Sequence, residues 1–241
     1  MTGAETIQFG TTTIQYTVSF SPGRKDATIA VYPDTSVVVT VPTGTPLETV
    51  QGLVQKKTPW ILKQIGAFEH FAMIDAMKEY VSGETFLYLG RQYRLRITVA
   101  GENASAKLMG GYFEVTVPDG VHPDRDLVRR ALHTWYKEHA LQKVREVVRV
   151  YARRLHLDPP EVTIRHQLKR WGSCTKDGVL NINLRIVMAP TAQIEYVVAH
   201  ELCHLRHRDH SAEFWDLLRL AMPDYEIRKE RLRKEGWRYV L

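Results

Sequence analysis

The stretch HELCHLRHRDH, residues 200–210, sets four histidines in eleven positions, and its reading decides what the rest of the chain must build. His200 and His204 are four residues apart. On a helix that is about 40° of rotation and about 6 Å of rise, so both imidazoles can reach one ion from one side. Glu201 points about 100° away from His200 and cannot easily join the same coordination sphere. It can instead sit over a metal-bound water and take its proton. This is the mechanics of the H-E-x-x-H pattern, with two zinc ligands and a general base on one helix. The preceding run IEYVVA (194–199) is apolar and helix-compatible. The histidines therefore fall on an ordered, buried segment, where unpaired imidazoles would be costly.

A catalytic zinc takes three protein ligands and leaves a position for water. His207 stays on the same helical face, but three ligands along a straight helix span about 10 Å and surround one ion poorly. His210 lies six residues beyond His204, far enough for the helix to stop and the chain to turn back. Geometry favours His210 and leaves Glu213, Glu226, Glu230 and His207 as alternatives. Asp209 is a residue able to take the left-handed conformation such a turn can require. Ser211 is expected to cap a following helix, with Phe214 and Trp215 packing beneath it. The expected cofactor is one Zn2+ per chain.

Outward from this stretch, the 241 residues suffice for one large or two modest domains. The composition, 44% hydrophobic and 25% charged, is that of a soluble globular protein. No apolar run approaches a membrane span, and MTGAETIQFG lacks the features of a signal peptide, so a cytoplasmic location and no membrane partner are expected. Cys174 and Cys203 cannot make a disulfide framework and read as reduced packing residues, though either could close a structural zinc site. The net charge of +6 invites a nucleic-acid partner. However, Arg145, Arg149 and Arg153, four apart, read first as the solvated face of a helix, and aromatic interleaving is absent.

The first half is rich in strand patterns. TIQYTVSF (13–20), ATIAVYP (27–33) and SVVVTVP (36–42) are β-branched, with turn chemistry in SPGRKD and PDTS between them. Residues 46–66 read as helix, divided or kinked at Pro59. A second pass follows, with strands in FLYLGRQYRLRITVA (86–100) and YFEVTVP (112–118) around the loop GENASAKLMGG, then a helix over 123–156. VTVPTG (39–44) and VTVPDG (115–120) each end a strand before a helix, which suggests a repeated hairpin-plus-helix unit. Strands at EVTIRHQ (161–167) and VLNINLRIV (179–187), the metal helix from Thr191, and helices over 211–222 and 224–235 complete the chain. The expected class is α+β: a β-rich region over 1–118, then a catalytic domain over 119–241 carrying the HExxH helix.

RWGSCTKDGVLNINLRI (170–186), IEYVVAHELCHLRHRDHSAEFW (194–215) and MPDY (222–225) together closely resemble the YgjP-like group of zinc metallopeptidases, related in pattern to the SprT and WLM proteases. The resemblance is strong over about 165–225 and weaker over the β-rich half. It implies a compact zincin fold, with His200, His204 and His210 as the ligands and Glu201 as the catalytic glutamate. Metzincins place glycine three residues after the second histidine, where this chain has His207, so the turn is expected later, at Arg208 to Asp209.

RWGSC is expected to border the cleft. Trp171 would be an apolar wall, Gly172 would permit close backbone approach, and Arg170 would be an oxyanion or carboxylate partner. In the alternative, the same segment is a tight turn whose tryptophan fills the core. Tyr225 is a further oxyanion candidate, and Asn183 could pin backbone. The reading is hydrolysis by metal-activated water with Glu201 as general base, most simply of peptide bonds. The rivals are a metal-dependent nucleoside triphosphate pyrophosphohydrolase, suited by a basic cleft, and a DNA-associated SprT-like protease or adaptor recruited by the basic helix.

Overall fold

In the computed structural model the chain divides into two compact units, residues 1–74 and 75–241. Residues 2–241 are described except 33, 101 and 168, and side chains are not described at 2, 3, 70–72 and 74–77. The expected boundary at 118/119 therefore falls inside the second unit.

The first unit is a four-stranded sheet carrying a long helix. Strands β1 (Thr2–Phe9), β2 (Thr12–Ser21), β3 (Thr28–Val31) and β4 (Val37–Pro42) are ordered β1-β2-β4-β3, with β2 and β4 parallel and the outer pairs antiparallel. Alternation in β2 buries Ile14, Tyr16 and Val18, and β4 buries Val37, Val39 and Val41. These pack with Val50, Val54 and Ile61 of α1 (Leu47–Met77). Two expectations change here. β1 is an edge strand absent from the sequence reading, and α1 runs unbroken through Pro59. Proline removes one helical hydrogen bond, and the buried row on either side of it offsets that loss. The expected turn PDTS begins at Pro33, outside the described residues. At its centre Asp34 Oδ1 accepts from the Ser36 amide and hydroxyl, and Thr35 takes φ 66°.

The second unit opens with the same arrangement. β5 (Thr85–Tyr88), β6 (Arg91–Val99), β7 (Ser105–Met109) and β8 (Tyr112–Val117) are ordered β5-β6-β8-β7, again with the central pair parallel and the outer pairs antiparallel. VTVP thus lies at equivalent places, in β4 and at the end of β8. The expected loop over 101–111 contains β7; its first residue, Gly101, lies outside the described residues. The alanine and lysine of SAKLM carry little strand propensity, and the strand exists because it pairs with β8.

Helix α2 (Arg125–Arg154), capped by Asp124 accepting from the Leu127 amide at 2.7 Å, buries Val128, Leu132 and Tyr136 with Phe113 and Val115 of the sheet. Arg145, Arg149 and Arg153 are exposed. Beyond it a second sheet forms from β9 (Val162–Arg165), β10 (Gly172–Cys174) and β11 (Leu180–Asn183), ordered β10-β11-β9, with β9 and β11 parallel. The strand expected over 179–187 stops at Asn183 and becomes a buried 3-10 turn over Leu184–Met188. The apolar/polar alternation of LNINLRI continues past Asn183 with a period of two, so the sequence carries no mark of that change.

The turn leads through Pro190 into α3 (Thr191–Cys203), followed by α4 (Ala212–Ala221) and α5 (Tyr225–Glu235). The start of α3 is fixed from outside. In the β5–β6 turn the Gly90 amide donates to Met188 O at 3.1 Å, and a Cβ there would lie 2.8 Å from Pro190 Cγ. Arg228 ties α5 to α3 by pairing with Glu195, while its Nε bonds Asp224 at 2.8 Å. Among the described residues no helix is long and apolar enough to cross a membrane.

Candidate metal centre

His200 and His204 come from the last turn of α3, and His210 returns from the connection to α4. The three rings lie with centroids 4.8 to 5.1 Å apart. Their candidate ligand nitrogens all fall within 4.8 Å of one another, and Nε2 of His210 is 3.1 Å from Nε2 of His200. Two nitrogens on one tetrahedral ion at about 2.0–2.1 Å would sit about 3.4 Å apart, so the donor set fits a single small divalent cation. Among the described residues no cysteine or carboxylate joins this group. Cys203 is fully buried and its thiol is pushed up to about 12 by that burial, so it stays protonated.

The protonation states suit ligation. Burial, then His204, His210 and Lys229, hold His200 down at about 3, and burial, His204 and Lys229 also lower His210. Neutral imidazole is the form that binds metal. His204 Nδ1 lies 3.0 Å from His207 O, and since a carbonyl only accepts, Nδ1 carries the proton and Nε2 is left as the lone pair. His200 Nδ1 is buried without a hydrogen-bond partner, so the polar contact of this ring runs through Nε2, toward His210.

The helix ends at His204 and the chain bends at Arg208 and Asp209, where the turn was expected, but no residue of 204–210 has positive φ. Leu205 N donates to Leu202 O and Arg206 N to Cys203 O, a tightened last turn that satisfies the terminal carbonyls without a left-handed residue. Asp209 serves otherwise, its Oδ1 accepting from the Ser211 amide at 3.3 Å. Arg208 donates to Thr175 O at 2.7 Å and Lys176 O at 3.0 Å, anchoring the returning loop to the β10–β11 turn. Beneath the loop, Phe214 lies 4.7 to 4.9 Å from all three imidazoles, and Trp215 Nε1 bonds His210 O at 3.1 Å. Ser211 stands at the cap position of α4 without a side-chain capping bond.

Glu201 is 6% exposed, and burial pushes its carboxyl up to about 7 against the pull of the Arg170 guanidinium. The close backbone approach expected at Gly172 is real, but the approaching group is this glutamate. A Cβ on Gly172 would lie 2.7 Å from both Cγ and Oε1 of Glu201. Trp171 is placed as a prop rather than a cleft wall. It lies edge-on to Tyr239 at 6.0 Å with the Arg185 guanidinium 5.0 Å from its ring, and a Cβ on Gly236 would touch its Cζ2 at 2.7 Å. Tyr225 is buried and stacks on Trp215 at 5.6 Å, and its hydroxyl bonds Glu226 at 3.1 Å, so that donor is already engaged.

Asn183 does pin backbone. Its amide nitrogen donates to Gln167 O and to Arg170 O at 2.8 Å, and its Oδ1 accepts from Arg185 N at 3.1 Å. Asn183→Leu should therefore leave several buried main-chain groups unpaired and cost about 3 kcal/mol of stability, read by urea unfolding. A loss below about 1 kcal/mol would mean that the segment before β10 holds itself. The anchoring bonds of Arg208, the bond from Trp215 to His210 O and the place of Tyr196 beside the His200 ring at 5.9 Å were not foreseen. The spacing of Tyr196, one helical turn before His200, is the signal that could have drawn attention to it.

Three histidines from one helix and a returning loop thus converge beside a buried carboxylate. The chain belongs to the YgjP-like family, whose metallopeptidase domain matches residues 25–235. It is a hydrolase of metallopeptidase type. No curated protein matches it. Among solved structures it is similar to the metallopeptidase zymogen of Pyrococcus abyssi abylysin, at 20% identity and a TM-score of 0.36, over 38% of this chain and 93% of that one.

Proposed function

We propose that the chain is a single-zinc metallopeptidase in which His200, His204 and His210 hold the ion and Glu201 is the general base. The observation that carries this reading is the convergence of the three imidazoles, with burial favouring the neutral form of His200 and His210. Zinc held there would supply an acidified water and a charge that polarises the scissile carbonyl. Glu201, confined against Gly172, takes the proton of the attacking water and returns it to the leaving amine. β10 is an edge strand. Trp171 O and Thr175 N bond β11, so by alternation the main-chain groups of Gly172 and Cys174 face away from it, open to an extended peptide.

The test is zinc per chain after loading and dialysis, with His200→Ala as the blank, followed by peptide hydrolysis with and without a chelator. About one zinc in the wild type and none in the variant is expected, with activity abolished by the chelator and restored by zinc. Equal metal in both proteins would sink the assignment.

One observation favours a second reading. Arg170 acts on Glu201, and Lys229 lies 4.6 Å over Trp215, whose ring is 5.5 Å from His210, so two cations flank the centre as phosphates would require. Pyrophosphate release from a nucleoside triphosphate, lost in Arg170→Ala and Lys229→Ala, together with no peptide hydrolysis, would replace the peptidase reading.

A further inference from the structure

Four buried tyrosines of the second unit engage their hydroxyls in hydrogen bonds. Tyr136 bonds Leu87 O at 2.6 Å, Tyr151 bonds Glu195 at 3.3 Å, Tyr225 bonds Glu226 and Tyr239 bonds Gln193 at 2.8 Å. This is the usual behaviour of a phenol taken out of water. Tyr196 departs from it. The residue is 8% exposed, and its hydroxyl makes no hydrogen bond among the described residues. Nor is the oxygen sealed in the core, for it is not among the enclosed, unpaired polar atoms.

Its place in the helix says what that oxygen faces. Tyr196 precedes His200 by one turn of α3, the same relation that His200 bears to His204, and its ring lies 5.9 Å from the His200 ring. Burial, then the Glu201 carboxylate and the Tyr225 hydroxyl, push the phenol up to about 12, so it keeps the proton that a donor needs. The result is a rigid donor, held by a buried ring on the ligand helix itself, with its hydrogen-bonding capacity unused.

We propose that the Tyr196 hydroxyl donates a hydrogen bond to the substrate oxygen that gains negative charge as the scissile carbonyl is attacked. This rests on the metallopeptidase reading and supplies the oxyanion donor that Tyr225, engaged with Glu226, does not. A donor preset where charge develops is worth most in the transition state and little in the ground state.

The experiment uses two probes on the full-length, zinc-loaded protein: a phosphinic dipeptide analogue, which offers an anionic oxygen beside the metal ligand, and a thiol dipeptide analogue, which does not. Tyr196→Phe should weaken the phosphinate by about 10- to 100-fold and leave the thiol within about twofold. Zinc content should be unchanged. The melting temperature should hold or rise, since the deleted hydroxyl has no partner to lose. With a peptide substrate, kcat should fall by the same factor at nearly constant KM. Tyr225→Phe should leave both probes unaffected. Equal binding of the phosphinate by wild type and Tyr196→Phe overturns the assignment of Tyr196 alone, as does equal weakening of both probes. Failure of the wild type to bind either probe overturns the metallopeptidase reading and this assignment with it.

Discussion

His210→Ala is expected to weaken zinc binding by more than a hundredfold, whereas His207→Ala should hold it within about threefold. The two histidines are three residues apart and equally plausible by residue type, so the contrast tests the geometry rather than the motif. His210 brings a ring nitrogen to 3.1 Å from that of His200, and its main chain is held by Trp215 Nε1 at 3.1 Å. His207 contributes its carbonyl to His204 Nδ1, and alanine retains a carbonyl. Loss of an outer partner of a metal ligand typically costs about 10- to 100-fold in affinity, which sets a floor for losing a ligand itself. Competition with a chromophoric zinc chelator at fixed pH gives both constants. If His207→Ala were the variant that emptied the site, the proposed ligand set would be wrong. Trp215→Phe keeps the apolar floor and deletes only the hydrogen bond to His210 O, and so should fall between the two.

The parts of this centre that were legible in the sequence share one property: they depend on local spacing. Four residues between His200 and His204 fix their common face in any α-helix, and Pro190 marks where that helix begins. His210 could be favoured because a straight helix cannot wrap three ligands around one ion. The manner of the turn was not legible. A tightened helical end needs no glycine and no left-handed residue, so the local sequence around His207 carries no mark of it. The roles in RWGSC stayed open between cleft border and packed turn for a related reason. The neighbours that bear on Gly172 and Trp171 are Glu201 and the C-terminal segment at Gly236 and Tyr239, far away in the chain. Pairing decides β7 and β1 in the same way, since an edge strand of weak propensity forms only when its partner strand is present.

Gly172→Ala should lower kcat by about 100-fold while leaving zinc content and melting temperature nearly unchanged. The added methyl would stand 2.7 Å from Cγ and Oε1 of Glu201. Helix α3 is buried and cannot retreat, but the glutamate carboxyl is the free end of a flexible side chain, so it is the group that moves. Displacing a reacting group by about 1 Å costs catalysis far more than it costs stability. Glu201→Gln keeps the shape and removes the base, and should reduce kcat by about 10²- to 10⁴-fold, also with metal retained. The two changes act through one carboxyl, so their effects should not add: Gly172→Ala placed on Glu201→Gln should cost no more than about twofold beyond Glu201→Gln alone. Steady-state kinetics on the four proteins measures this directly. Multiplicative losses would mean that the added methyl acts on the substrate rather than on the glutamate, and that the glutamate is indifferent to the strand beside it. A double variant no worse than Glu201→Gln would support the view that β10 sets the position of the base, as the β10–β11 turn, through Arg208, sets that of the third ligand.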